Sequence, residues 1–382
     1  MNLTKLFTSF FNSEKAGGLV LLLATMFSLL LSNSCFSESY LSIWHYPIAM
    51  HSAEYWINDG LMTIFFLMIG LELERELYLG ELSKIKDAIL PIIGALGGMV
   101  IPALLFLAIN LGTKTQAGYG IPMATDIAFA IGILSLLGDK VPLSVKVFLT
   151  ALAVIDDLGA IIVIAIFYTK TIYFENLLIS MAIFAGLIIM KRFKVKSLFF
   201  YLIGGIFMWY FMLNSGVHAT IAGILLAFAI PFGDGSEDTA SYKLQSWLHK
   251  PVAFLIIPLF ALSNTAILIG KEWMSTFSEH YSIGILVGLC IGKPLGIVSF
   301  TYVAVKLKLT SLPEDVNWNT LIGMGFLGGI GFTMSIFITL LAFNDGQIVT
   351  TSKFMILIAS FISGVIGFVW LFKSLSSKKE IL

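Results

Sequence analysis

Apolar residues run along this chain in long blocks separated by short polar connections, near residues 16–32, 56–77, 88–109, 116–137, 143–168, 174–190, 197–213, 217–232, 247–269, 281–305, 320–343 and 354–372. Most are close to the ~20 residues with which an α-helix crosses a bilayer's hydrocarbon core. The pattern predicts an all-α polytopic membrane protein of about 12 transmembrane helices, because lipid leaves the backbone no other partner than the helix itself. Residues 1–15 read differently. Leu3, Leu6, Phe7, Phe10 and Phe11 share a helical stripe with Lys5 and Lys15 outside it, which suits an amphipathic helix lying in the interface. Residues 16–382 then form one domain. The first block could instead belong to a signal peptide, with Ser32-Asn33-Ser34-Cys35 resembling a lipoprotein cleavage site, but its apolar run is too long and the expected leucine is missing.

Composition agrees with this layout. Of 382 residues 58% are hydrophobic and 12% charged, with a mean hydropathy of +0.94, against about 25% charged residues in a soluble domain. A soluble fold is excluded. Lys plus Arg and Asp plus Glu both number 23, so the net charge of zero argues against nucleic acid as a partner and leaves membrane lipid. The placement of positive charge is more informative than its sum. Lys114, Lys170, Lys271 and Lys353 fall on the outer side, Lys293 falls inside a block, and the remaining 18 of the 23 gather on the other side. That asymmetry predicts an even number of spans with both termini cytoplasmic. Trp44, Trp56, Trp247, Trp273 and Trp318 fall near block ends, as interfacial anchors or as ordinary packing aromatics. Cys35 and Cys290 suggest neither a disulfide framework nor a thiolate metal site.

Four ionisable residues lie inside the blocks: Asp126, the adjacent Asp156 and Asp157, and Lys293. Charge at membrane depth is costly and marks an ion or proton pathway, although a buried ion-pair network serving fold specificity is the alternative. Neighbouring helical residues point about 100° apart, so Asp156 and Asp157 cannot both face one partner. We expect Lys293 to pair with Asp156, leaving Asp157 as the primary ligand of a transported cation. Carboxylates, a threonine hydroxyl and backbone carbonyls suit a small hard cation such as Na+ or Li+ as cargo, with no resident cofactor.

Two blocks are interrupted. Gly118, Gly120 and Pro122 precede Thr125 and Asp126, and Gly323, Gly325, Gly328, Gly329 and Gly331 precede Thr333. Broken spans at corresponding positions of two repeats, here about 88–168 and 281–372, point to a transport site between inverted-topology repeats; such glycines also serve close helix packing. Broken helices crossing there bring two positive and two negative helix ends together. An anion and a cation relieve that repulsion, so Asp126 and Lys293 have an electrostatic role even without touching the ion. Glu72, Arg75 and Glu76 share a face at the cytoplasmic end of the second block, with His249 and Lys250 as possible counterparts. They form either a solvated helix end or a funnel that collects cations and responds to pH. Asp59 reads as an outer-end polar group and His218 as a packed, hydrogen-bonded histidine.

The segments GLELERE, GIPMATDIAFAIGILSLLG, LTALAVIDDLGAI, SGVHATIAG and GKPLGI, in this order along nearly the whole chain, resemble the NhaA family of Na+/H+ antiporters. The broken-span rule used above is itself partly drawn from that family. The resemblance implies twelve helices, an inverted repeat with two broken crossing helices, and a homodimer held partly by a small hairpin within residues 33–55. It also implies a bacterial inner (plasma) membrane location and electrogenic exchange of cytoplasmic Na+ or Li+ for external H+. Asp156 and Asp157 would carry the cation and protons, Lys293 would be the intramembrane lysine, and Thr125 with Asp126 the broken-helix pair. An enzyme is disfavoured because the Gly-x-Gly-Asp signature of intramembrane aspartyl proteases is absent. A passive cation channel or an organic-anion symporter on the same scaffold remains open, since fold does not decide function.

Family members that switch on at alkaline pH carry Glu followed by His early in the ninth span, where this chain has Gln245 and Ser246. We expect a weaker or shifted pH response. Exchange measured across pH in vesicles would contradict this by rising as steeply as in sensor-bearing relatives.

Overall fold

The structure is a computed structural model that describes residues 14–169, 171–270, 273–313 and 315–376. Residues 1–13 of the expected interfacial helix lie outside them. Among the described residues the chain forms α1 (Glu14–Ser32), α2 (Ser37–His45), α3 (Ala53–Tyr78), α4 (Ile85–Asn110), α5 (Ile127–Leu136), α6 (Leu143–Phe167) and α7 (Phe174–Arg192). These are followed by α8 (Leu198–Leu213), α9 (Thr220–Ala229), α10 (Ala240–Asn264), α11 (His280–Lys306), α12 (Trp318–Gly328), α13 (Phe332–Ala342) and α14 (Gly346–Ser376). A 3-10 helix, Gln116–Met123, precedes α5, and Pro122 inside it lacks the N–H that would extend an α-helix. Single π-helical turns interrupt α3 at Trp56–Leu61, α10 at Val252–Ile256 and α11 at Gly288–Gly292, the last ending against Lys293.

Each of the twelve apolar blocks contains helix, so the helical membrane architecture holds. Among the described residues eight segments are long and apolar enough to span, and two bent pairs raise this to 10. The pairs are α1 with α2, bent by 117°, and α12 with α13, bent by 45°. The two remaining blocks are the shorter apolar helices α8 and α9.

Some boundaries differ from the sequence reading. Helix α10 starts at Ala240 because the Thr239 hydroxyl accepts from the Tyr242 N–H at 3.4 Å, placing Trp247 two turns inside a helix rather than at its end. Helix α14 starts at Gly346, where the Asp345 carboxylate accepts from the Gln347 N–H at 2.8 Å. Lys353, expected outside the last span, is therefore part of a helix and buried. Such caps act on the backbone and leave little trace in hydropathy.

The chain divides into two compact units. The first holds residues up to Phe36, Lys84–Ala160 and the chain from Asn264 onward. It contains a continuous helix, a broken span and a continuous helix twice in succession: α4, the 116–136 segment and α6, then α11, α12 with α13, and α14. Helix α4 packs along α11, with Gly97 facing Gly296. A Cβ on Gly97 would run into the Gly296 carbonyl, and one on Gly296 into the Gly97 carbonyl. The second unit holds Ser37–Ser83 and Ile161–Ser263, with α3 packed on α9 and α7 on α8. Its hairpin, within the expected 33–55 region, is a short antiparallel ladder pairing Pro47 with Ser52 and Ile48 with His51. Ala49 turns the chain at a φ of 55°, and the Trp56 indole donates to the Ile48 carbonyl at 2.9 Å.

The reciprocal glycine contact gives a stability prediction. Gly296→Val drives atoms into the Gly97 backbone and against Ile101, and the melting temperature of the purified protein should fall by the equivalent of about 1–3 kcal/mol or more. An unchanged melting curve would contradict the packing.

Candidate functional site

Thr125, Asp126, Asp156, Lys293, Thr333 and Ser335, all buried, are joined by hydrogen bonds between or beside the two broken spans of the first unit. After the 3-10 segment, Ala124 is extended at φ −80° and ψ 153°, and Asp126 caps α5 by accepting the Phe129 N–H on Oδ1 at 3.0 Å. The other carboxylate oxygen, Oδ2, serves the second broken span. It accepts the Thr333 N–H at 3.0 Å and also the Thr333 hydroxyl. The backbone N–H of Asp126 donates to the Ile330 carbonyl at 2.6 Å. One carboxylate thus caps the N-termini of both α5 and α13, where unpaired N–H groups and partial positive charge accumulate. The Phe332 N–H, also in that first turn of α13, donates to the Ser360 hydroxyl of α14 at 3.1 Å.

The opposite ends of the broken helices expose carbonyls. The Thr125 hydroxyl lies 2.8 Å from the Gly328 carbonyl at the end of α12, and the Ser335 hydroxyl donates to the Ile121 carbonyl of the 3-10 segment at 2.7 Å. The Lys293 ammonium forms the expected ion pair with Asp156 Oδ2, both side chains being fully buried. A carbonyl is satisfied by a neutral hydroxyl, whereas a buried carboxylate needs a cation far more. Thr125 completes this cluster, because its hydroxyl is also 2.8 Å from Asp156 Oδ2.

Asp156 and Asp157 are both wholly buried on α6, and Asp157 lies within electrostatic reach of Lys293. Asp156 Oδ1 accepts no hydrogen bond within the described residues. Among those residues no group of three or more His, Cys, Asp or Glu side chains is arranged to hold a metal ion. Asp126, with both oxygens on helix ends, is thus placed for charge compensation. Carboxylates of α6, the Thr125 hydroxyl and nearby carbonyls make up the oxygen-rich surroundings in which a small cation could displace a proton.

The remaining candidates lie in the second unit. Glu72, Arg75 and Glu76 are half-buried on the last turns of α3, and His249 and Lys250 are exposed on α10. The Arg75 guanidinium donates to the Gly235 carbonyl at 2.9 Å and sits 4.7 Å from the centre of the Tyr242 ring, pinning the connection between α9 and α10. Gln245 is half-buried and Ser246 exposed. His218 bonds the Tyr168 carbonyl at 3.1 Å, the packed role expected of it. Two charged residues escaped the sequence reading. Glu74 is completely buried and pairs at 3.2 Å with Lys191, which also donates to the Phe228 carbonyl at 2.9 Å. Both sit in runs of charge at helix ends, where hydropathy alone predicts solvation. Ser335 also went unremarked, since a serine two residues beyond Thr333 has nothing distinctive in sequence.

Comparison with known proteins gives consistent matches. The family described as Na+/H+ antiporter 1 matches residues 8–371. The chain is 64% identical over 368 residues to a protein of Flavobacterium psychrophilum named Na(+)/H(+) antiporter NhaA, covering 96% of each. It is 62% identical over 380 residues to Na(+)/H(+) antiporter NhaA 1 of Flavobacterium johnsoniae, covering 100% of each. A protein of Cytophaga hutchinsonii named Na(+)/H(+) antiporter NhaA is 58% identical over 371 residues, covering 97% of this chain and 96% of its own length.

The double cap formed by Asp126 makes a graded prediction. Asp126→Ala removes acceptors from two helix ends and should destabilise the purified protein by about 1–4 kcal/mol, with Asp126→Asn, which keeps one acceptor, falling between it and wild type. Equal melting temperatures for the two variants would contradict the arrangement.

Proposed function

This chain belongs to the Na+/H+ antiporter 1 family, and we propose that it is a secondary antiporter exporting cytoplasmic Na+ or Li+ in exchange for external H+. The observation that supports this best is the Thr125–Asp156–Lys293 cluster, buried beside Asp157 where two broken spans meet. In this reading Asp157 is the primary cation ligand and Asp156 the second carboxylate. A deprotonated carboxylate attracts the cation, and a proton arriving from outside displaces it, so cation and protons compete for the same oxygens. The ammonium of Lys293 holds Asp156 while the site is without cargo and releases it when the cation supplies the compensating charge. Alternating access then opens the site to one side of the membrane at a time.

Charge balance follows from the groups involved. If two protons leave for each Na+ that binds, from the two aspartates or from one aspartate and Lys293, each cycle moves one net charge. The membrane potential then contributes about 2.3 kcal/mol per 100 mV to the exchange. In a bacterial inner membrane, with both termini cytoplasmic, such a cycle serves sodium and pH homeostasis. A second copy of the chain is the expected partner, with the 47–52 hairpin as one element of the contact, and membrane lipid surrounds the assembly. Glu72, Arg75, Glu76 and His249 act in this scheme as a cytoplasmic funnel that tunes the pH response.

The test is a pH-gradient assay in vesicles containing the full chain, to which Na+ or Li+ is added. Wild type should collapse the gradient on cation addition, and Asp157→Asn should abolish that response while the protein still accumulates. Unaltered exchange in Asp157→Asn would defeat the assignment. Dissipation of the cation gradient without proton counterflow would mean a channel, and co-accumulation of an organic solute with Na+ a symporter.

A further inference from the structure

We propose that Ser335 is a positioning residue for the ion site, acting through the first broken span rather than by touching the cargo. The inference rests on the reading of the site given above.

A serine inside an α-helix ordinarily turns its hydroxyl back to the carbonyl four residues earlier. Thr25, Ser32 and Thr339 all do so, bonding the carbonyls of Leu21, Ser28 and Ser335 at 2.8, 2.7 and 2.8 Å. Ser335 stands one turn before Thr339 in the same helix and has that option, because Gly331 lies four residues upstream. It does not take it. Its hydroxyl instead leaves the helix and bonds Ile121 on the other broken span at 2.7 Å. Gly331 makes the orientation possible, since a Cβ at that position would collide with Ser335 Oγ.

The Ile121 carbonyl needs this donor. Ala124, whose N–H would bond this carbonyl if the 3-10 turn continued, is already extended, and Ile121, Ala124 and Thr125 are each fully buried, away from water. The three residues between Ile121 and Thr125 are the tether of the Thr125 hydroxyl. That hydroxyl has one proton and two acceptors at 2.8 Å, Gly328 O and Asp156 Oδ2, and it can serve only one of them at a time. Ser335, with one acceptor, is a fixed contact between the spans on the Ile121 side of Thr125, as the Asp126 contacts to Ile330 and Thr333 are on the other side, and Thr125 is the switchable one. Anchoring Ile121 holds Thr125 within reach of both positions. When Asp156 exchanges Lys293 for the cation, the Thr125 hydroxyl can turn to Gly328 without the span moving.

Loss of the anchor should therefore weaken cation binding more than turnover. In the vesicle assay Ser335→Ala should raise the half-saturating Na+ concentration about three- to ten-fold, the usual worth of one hydrogen bond, with maximal exchange changed less than about two-fold. Ser335→Thr, which keeps the hydroxyl, should stay near wild type. Thr339→Val removes a hydroxyl that bonds only within its own helix and should leave half-saturation unchanged. A binding measurement on purified protein gives the same answer independently of transport: the Li+ concentration that half-maximally raises the melting temperature should shift for Ser335→Ala and not for Thr339→Val. If Ser335→Ala does not accumulate, Ser335→Cys, similar in volume but a weaker donor, is titrated in its place. An unchanged half-saturation in the serine variant, whatever its melting temperature, overturns the proposal, as does an equal shift in Thr339→Val. Should Asp157→Asn retain exchange, the reading of the site fails first. Should Asp157→Asn be inactive while the serine variant binds cation normally, the positioning role alone is lost.

Discussion

A helix broken inside a membrane leaves N–H and carbonyl groups that lipid cannot hydrogen-bond, and the centre of the first unit is organised by that demand. Asp126 is the principal answer. Its two carboxylate oxygens cap α5 and α13 together, so the partial positive charges of two helix ends share one negative group. The carbonyl ends are met by hydroxyls reaching across from the opposite span, Thr125 to Gly328 and Ser335 to Ile121. Charge is used where N–H groups converge, and neutral donors suffice where carbonyls do.

That division leaves Lys293 available for Asp156. A lysine and an aspartate with no exposure to water are stable only as a pair, and separating them without a replacement is strongly unfavourable, typically by about 3–5 kcal/mol. In the proposed exchange a bound cation or a proton would each take the place of the ammonium beside Asp156. The π-helical turn Gly288–Gly292 shifts the register of α11 just before Lys293. Gly97 and Gly296 let α4 and α11 approach closely nearby, which sets the scaffold against which the pair is held.

The second unit applies a related solution in another place. Consecutive residues at the end of α3 are committed to different neighbours: Glu74 to Lys191 of α7, and Arg75 to the Gly235 carbonyl and the Tyr242 ring. Lys191 also bonds the Phe228 carbonyl in the last turn of α9, so three helices are tied at one end by groups that read in sequence as a solvated charge run.

Sequence alone determined the features governed by hydropathy and by residue type. Long apolar blocks require helices in lipid, glycine and proline mark where two spans break, and Asp126, Asp156, Asp157 and Lys293 stand out because a charge within an apolar run has no inexpensive explanation. The pairing of Lys293 with Asp156 was also legible, as the way to bury an ammonium among acids. Only the tertiary structure decided that Asp126 caps both broken helices, that hydroxyls reach the carbonyl ends, that Glu74 and Lys353 are buried, and that Lys191 pairs with Glu74. Those assignments depend on contacts between residues as far apart in the chain as 126 and 333 or 121 and 335. Serine and threonine have no periodic signature, and a lysine at a helix end has the same hydropathy whether it faces water or a buried carboxylate. Their roles are set by what the folded chain brings within three ångströms of them, and hydropathy carries no record of that.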